Sequence, residues 1–268
     1  MLIVIKIGGS TLEKGLPKGF IADIVEIFSN NKVVIVHGGG KEVTRIASKL
    51  GKEQKFIMSP EGFRSRYTDR ETVEIFSMVM VGKINKEIVL NLQKNGLNAI
   101  GLSGLDASLV NAKRKERLII IDERGRKRAI AGGFTGKISS VKDEVINLLL
   151  QNDFLPVISP VAISEKFEIL NVDGDRMAAH IAGNLKADML ILLTDVEGLE
   201  LDGKIIKRIS PIEAKDLLKK VGPGMITKIY AAIEAINLGT KEVVISSGLI
   251  EHPVLSPLKY KAGTVVRI

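Results

Sequence analysis

Residues 2–10, LIVIKIGGS, and residues 32–41, KVVIVHGGGK, make the same move twice: a short, nearly unbroken apolar run stops on a cluster of glycines. Each run is too short for a globular helix and too continuous for a half-exposed strand. It fits a strand buried on both faces of a parallel sheet. Glycine directly after such a strand lets backbone approach backbone or ligand where a Cβ would block it. Lys6 stands just inside the first turn. Two strand-to-glycine turns with a lysine between them suggest a phosphate held by two backbone loops.

Outward from these turns, strands and helices alternate. FIADIVEIFSN and KEVTRIASKL have helical spacing, and DRETVEIFSMVMVGKINKEIVLNLQKNG carries enough pattern for two helices, closed at Gly96. LNAIGLS reads as a strand, and LVNAKRKERLIIIDERGRKRAIAG as strands paired about the turn DERG. SSVKDEVINLLLQND reads as a helix with serines available as its cap. FLPVISP, KFEIL, ADMLILLTD, KEVVIS and GTVVRI complete the strands. The remaining helices are DRMAAHIAGNL, SPIEAKDLLKK with its Ser-Pro start, and PGMITKIYAAIEAINLG closed by Gly239. The alternation predicts an α/β protein, a three-layer αβα sandwich around a mainly parallel central sheet. No low-complexity linker interrupts it; a division into lobes is placed near Gly183–Lys186, giving 1–183 and 184–268.

Composition narrows the function. With 268 residues and 45% hydrophobic content the chain can bury a full core. It has no cysteine, so disulfides and thiolate metal sites are excluded, and only His37, His180 and His252 offer imidazole. No apolar run reaches bilayer length, and the chain enters its first strand with no signal-peptide pattern, so a cytoplasmic protein is expected. The net charge of +8 is concentrated, because Lys113 to Arg128 holds eight Lys/Arg against three Asp/Glu. That stretch reads either as a solvated hairpin or as a docking surface for an acidic partner. Nucleic acid is disfavoured, since no aromatic residues interleave with the charges.

Several familiar motifs fail. GGFTGKISS has Ala131 where a Walker A loop needs its first glycine and Ile138 where it needs Ser/Thr. HGGG has no accompanying nucleophile elbow, since GLSGL breaks at its last position, and GPGMIT is an incomplete dinucleotide fingerprint.

Five stretches, in order, carry a positive signal: Lys6-Ile-Gly-Gly-Ser10, His37-Gly-Gly-Gly40, Asn171-Val-Asp-Gly-Asp175, Leu193-Thr-Asp-Val-Glu-Gly198 and Gly224-Met-Ile-Thr-Lys228. Together they resemble the amino acid kinase family and, within it, the N-acetylglutamate kinase branch, over nearly the whole chain. The resemblance implies transfer of the ATP γ-phosphoryl group to a carboxylate. It casts residues 1–183 as an acceptor-binding lobe and 184–268 as a nucleotide-binding lobe. A carboxylate is already ionised at neutral pH, with a reference pKa of about 4.3, so no general base is needed. Alignment and positive charge on the moving oxygens are needed. Lys6 and Lys228 fit as two clamps, with Asp175 orienting both. Gly8 and Gly9 would face the nucleotide phosphates, and Gly39 and Gly40 the acceptor carboxylate and moving phosphoryl. Thr194, Asp195, Gly224 and Met225 would border the nucleotide. Mg²⁺ is expected on phosphate oxygens and water, with no protein ligand. Singly, each feature has a plainer explanation: a tight turn, a solvated lysine, an aspartate capping a helix. His37 reads as a packed or loop-stabilising residue.

The acceptor end departs from the branch. Where N-acetylglutamate kinases have G-L-R-x-T, this chain has GFRSRYTDRET, with Arg64 and Arg66 both available; anchoring on R-x-T-D selects Arg66 as carboxylate ligand, with Asn171 at the amide end. SRYTDRETVEIFSMVMVGKINKEIV is instead similar to the kinases of carrier-protein-dependent lysine and arginine synthesis. Those act on the distal carboxylate of 2-aminoadipate or glutamate attached to a small acidic carrier of the LysW type. Such a carrier would give Arg114, Arg117, Arg126 and Lys127 a docking role. The rival readings are an N-acetylglutamate kinase acting on the free metabolite, a silent regulatory binder and a basic nucleic-acid module. By resemblance the assembly is a homodimer, without the extra N-terminal helix of arginine-inhibited hexamers.

Overall fold

The computed structural model describes residues 1–13 and 15–268. Its centre is an eight-stranded sheet. Across it run Arg208–Ile209, Thr264–Val266, Glu242–Ser247, Met189–Thr194, Leu2–Ile7 (β1), Lys32–His37 (β2), Leu155–Ser159 and Ala99–Ser103. Pairing is parallel except where Glu242–Ser247 meets Thr264–Val266. The two opening runs are adjacent, with Ile7 opposite His37, so both glycine turns leave the same end of the sheet side by side. Strands from both sides of Gly183–Lys186 join this one sheet, β1 pairing directly with Met189–Thr194.

Strand alternation sorts the core into two layers. Ile3, Ile5 and Ile7 pack with Phe20, Ile24, Val43 and Ile88 from the helices Lys18–Phe28, Gly40–Lys49 and Asn85–Lys94. Val4 packs on the other face with Met177, Ile181, Ile229 and Ala232 from the helices Gly174–Asn184 and Pro223–Leu238. The sandwich predicted from the sequence is therefore present. Lys6, next in alternation after Val4, projects toward the second layer.

Three local expectations are corrected. Arg70 to Lys94 is one continuous helical path, in which Arg70–Ser77 and Asn85–Lys94 are α-helical and Met78–Ile84 widens to a π-helix. No proline interrupts the pattern, and Asp69 caps its start by accepting from the Thr72 amide. The helix Glu144–Gln151 begins after Asp143; Ser139 and Ser140 belong to the preceding strand Gly136–Val141 and cap nothing. The basic stretch does not form one hairpin. Val110–Arg114 pairs with Gly136–Val141, whereas Arg117–Ile121 and Lys127–Ala131 pair with each other about the DERG turn. The chain changes sheet between them, with the Lys115 amide bonded to the Thr135 carbonyl and the Gly132 amide to the Glu116 carbonyl. By contrast, Ser210 starts Pro211–Asp216 with a full capping box to Glu213, as its Ser-Pro signal predicts. No helix among the described residues is long and apolar enough to cross a membrane.

A second, four-stranded sheet roofs the C-terminal ends of the central strands. Its order is Arg64–Arg66, Phe56–Met58, Arg117–Ile121, Lys127–Ala131. The expected carboxylate ligand and the basic hairpin thus lie on one β unit.

Candidate active site

At the C-terminal ends of β1 and β2 lies a cleft of about 670 Å³, lined by Lys6, Gly9, Gly39, Gly40, Arg66 and Asp175 among others. Ligands of open α/β sheets bind at this end of the strands. The helix Gly174–Asn184 is capped by Asp173, which accepts from the Arg176 amide at 3.0 Å; Asp175 is left one residue into the first turn with its carboxylate free to face the cleft. Lys6 Nζ meets one Asp175 oxygen at 2.7 Å and Lys228 Nζ meets the other at 3.0 Å, all three side chains being largely buried. Burial alone would raise the Asp175 carboxyl; Lys6 and Lys228 reverse this and hold it well below the usual carboxylate range. Burial would likewise lower the Lys228 ammonium, and Asp175 lifts it above its ordinary value instead. The site therefore presents two lysine side chains on a shared anionic hinge.

The glycine loops touch. A Cβ on Gly9 would lie 3.0 Å from the Gly39 amide nitrogen. Gly39 sits at φ 152°, which other residues rarely adopt, and a Cβ there would lie 2.1 Å from Ile84 Cδ1, so that side chain would have to move. Gly39 precedes the helix Gly40–Lys49, whose first-turn amides would favour an anion bound at that end. Behind the loop, buried His37 bonds through Nδ1 to the Gly38 carbonyl at 2.9 Å and meets Asn85 Nδ2 at 3.3 Å through Nε2. Burial, outweighing the Gly38 bond, pushes His37 down to about 4. It is neutral at physiological pH and braces the loop.

Arg66 is buried, and its guanidinium donates to the Gly40 carbonyl at 2.7 Å and Thr44 Oγ1 at 3.0 Å, with Gln54 as a further partner. Burial, with Arg64 alongside, brings it down to about 10, which leaves it charged. Arg64 is exposed and stacks over Phe56 at 4.1 Å. Asn171 lines the cleft and donates to Thr68 Oγ1 at 3.0 Å.

Thr194 ends its strand buried and donates to Asp195 at 3.1 Å; Asp195 is exposed. Gly224 and Met225 lie in the first turn of the helix carrying Lys228, and a Cβ on Gly224 would meet nothing within 4 Å. Gly8 packs against the Leu193 carbonyl, close to Lys6. The four basic residues do not share one surface. Arg117 lines the cleft, while Arg126 and Lys127 are exposed at the far end of the hairpin, Arg126 paired with Asp122 at 3.0 Å. Arg114 is tied to Glu168, to the Gly133 carbonyl at 2.6 Å and to the Phe134 ring at 4.0 Å.

Sequence reasoning missed Lys115, Thr135 and Lys137, all in the cleft wall. Lys115 is half-buried, and burial together with Arg176 lowers its ammonium pKa. Thr135 Oγ1 is buried without a hydrogen-bond partner among the described residues. Lys137 was in view in GFTGK, a stretch set aside once it failed as a Walker loop. Among the described residues no group of three His, Asp or Glu side chains is placed to hold a metal ion.

The model of the amino acid kinase family matches residues 1–247. The chain belongs to that family. It is 47% identical, over 99% of each chain, to the LysW-aminoadipate/LysW-glutamate kinase of Saccharolobus solfataricus. It is 51% identical, again over 99% of each, to a Nitrosopumilus maritimus protein described provisionally by the same name. The fold is shared more widely. The smu.665 protein of Streptococcus mutans superposes with a TM-score of 0.80 at 24% identity, covering 99% of this chain and 98% of that one. Giardia lamblia carbamate kinase superposes at 0.68 and 19%, covering 99% and 98%.

Proposed function

We propose that this amino acid kinase transfers the γ-phosphoryl group of ATP to the distal carboxylate of 2-aminoadipate or glutamate attached to a small acidic carrier protein of the LysW type, forming an acyl phosphate. The observation that carries the reading is the roof sheet. It joins Arg66, above the paired lysines, to a basic hairpin that runs out of the cleft. A free amino acid needs only the inner end of that surface, whereas a tethered one arrives with a negatively charged globule that needs the outer end. The relatives named as kinases of LysW-linked substrates support the same choice.

In this reading a carboxylate oxygen of the acceptor attacks the γ-phosphorus as the bond to the ADP oxygen breaks, and no proton moves. Lys6 and Lys228 would neutralise charge on the transferring oxygens, with Asp175 holding both heads toward one point. The Gly39–Gly40 amides would receive the acceptor and moving phosphoryl, Gly8 and Gly9 the donor phosphates. Thr194, Asp195, Gly224 and Met225 would border the nucleotide, with 184–268 as its lobe and 1–183 as the acceptor's. Arg66 would hold the α-carboxylate and Asn171 the amide. Both Asp175 oxygens are engaged by lysines, so Mg²⁺ fits best on phosphate oxygens and water, where it supplies further charge neutralisation. A cytoplasmic homodimer is the proposed working form.

The test is a hydroxylamine trap for acyl phosphate, with ATP and Mg²⁺, offering carrier-linked aminoadipate, carrier-linked glutamate and free N-acetylglutamate in parallel. Hydroxamate from the carrier forms alone supports the proposal. Strong turnover of free N-acetylglutamate replaces it with an ordinary N-acetylglutamate kinase. Neutralising Arg117, Arg126 and Lys127 together should raise KM for the carrier substrate and flatten its salt dependence, with kcat little changed. Arg114 belongs in a separate variant, because its bonds to Glu168 and Gly133 give it a structural role. Unchanged KM in the triple variant would remove the hairpin from docking.

A further inference from the structure

The hairpin that carries Arg66 does more than roof the cleft. Its tip, residues 59–63, is a rigid turn. The Ser59 amide donates to the Phe63 carbonyl at 2.8 Å, the Gly62 amide to the Ser59 carbonyl at 3.0 Å, and the Phe63 amide to Ser59 Oγ at 3.2 Å. This tip crosses the cleft and rests on the helix Pro223–Leu238. The Phe63 and Tyr230 rings lie 5.0 Å apart and tilted by 47°. Beside them, Gly62 is so close to the helix that a Cβ would stand 3.2 Å from Ile226 Cδ1. Ile226 and Tyr230 are one helical turn apart and share a face. Lys228, midway between them, leaves the helix from the far side and reaches Asp175.

The same helix is thus held from two directions: by Asp175 through Lys228, and by the acceptor-side hairpin through Ile226 and Tyr230. We infer that Phe63 and Tyr230 form a latch. They are positioning residues that close the acceptor hairpin over the cleft and couple the seating of Arg66 to the placement of Lys228. The inference rests on the kinase reading proposed above and adds to it how the two halves of the site are brought into register. Closure also protects the reaction. With the latch open, water reaches the γ-phosphorus, the bond to ADP breaks, inorganic phosphate forms and one proton goes to solvent. With it shut, water is kept from the γ-phosphorus and the acceptor carboxylate attacks in its place. An aromatic pair of this kind favours the closed form by roughly three- to tenfold.

Phe63 is half-buried and Tyr230 is 38% exposed, so their replacement leaves the core intact. The test compares Phe63→Ala, Tyr230→Ala, the double variant and Tyr230→Phe in the full-length chain. Two quantities are read: ADP released per hydroxamate trapped, and hydrogen exchange of the Gly62 and Phe63 amides with the non-hydrolysable analogue AMP-PNP bound. Each alanine variant should raise acceptor KM about three- to tenfold. Each should also lift the ADP-to-hydroxamate ratio above the parent value and speed exchange at the tip. The double variant should be no worse than the worse single one, and Tyr230→Phe should behave as the parent. Additive effects, or an unchanged ratio, overturn the latch. Should no acceptor give hydroxamate in the parent, the kinase reading fails, and exchange at the tip still decides the latch: unchanged exchange in the alanine variants rejects it.

Discussion

Replacing Asp175 by Asn tests the centre of the site. The carboxylate meets Lys6 at 2.7 Å and Lys228 at 3.0 Å, and its side chain is 6% exposed. At an effective dielectric of about 20, each contact is worth about 5–6 kcal/mol before desolvation is counted. Much of that is offset by taking the charges out of water, and removing one member of a buried ionic group costs about 3–5 kcal/mol in measured cases. Asn keeps the shape and one hydrogen bond but leaves two ammonium groups facing each other uncompensated. If the clamps matter mainly in the transition state, kcat falls about 10²- to 10⁴-fold at 1.36 kcal/mol per decade. ATP affinity, measured by calorimetry, should change only a few-fold. Stability carries a second signature. The folded carboxyl is held below its unfolded value, so its contribution is fully present above the unfolded pKa of about 4 and is lost as pH falls through the folded value. The stability gap between parent and variant should be widest at neutral pH and shrink in strong acid. A variant within threefold of the parent in kcat, or a gap that grows on acidification, would refute the assignment of Asp175 as hinge.

Lys228→Met should leave acceptor binding intact while hydroxamate formation collapses; surviving turnover would show that Lys228 is no clamp. Gly39→Ala must fit a methyl group where Ile84 Cδ1 lies 2.1 Å away, at a φ that non-glycine residues avoid, so stability should fall by about 1–3 kcal/mol in urea melts. An unchanged midpoint would mean that the loop can move aside. The parent enzyme should show no kinetic ionisation near pH 6.5 from His37, whose folded value near 4 keeps it neutral; a limb there that His37→Gln removes would contradict this.

The sequence shows the sandwich because its strands are nearly unbroken apolar runs and its glycines mark their ends. LIVIKI and KVVIVH carry enough pattern to predict both burial and the shared end of the sheet. Lys6, Asp175 and Lys228 are legible only as a set: one lies on a strand, two on helices far apart in the chain, and each alone resembles an ordinary surface or capping residue. The structure places them within hydrogen-bonding distance of one another. The π-helix at Met78–Ile84 leaves no mark in a helical pattern, since its extra residue changes phase without changing composition. The split of Lys113–Arg128 between two sheets was equally hidden. Charged residues run without a break through 113–117, where the change occurs, and the change of sheet is set by backbone bonds from Lys115 and Gly132 to partners distant in sequence. Lys137 stands in GGFTGKISS, whose spacing matches no phosphate loop, so the sequence alone gives it no role.

The pleat of β1 has one more consequence. Val4 and Lys6 point to one side of the sheet while Ile3, Ile5 and Ile7 point to the other, so the lysine's reach to Asp175 depends on parity within six residues. Deleting or inserting one residue between Leu2 and Ile7 would keep the strand apolar and paired, yet turn Lys6 into the opposite layer among Phe20, Ile24 and Val43. Changes of two residues would restore the direction but move the ammonium by one pleat repeat, about 7 Å along the strand. Insertions in the turns or the roof, by contrast, would leave the lysine's side of the sheet unchanged.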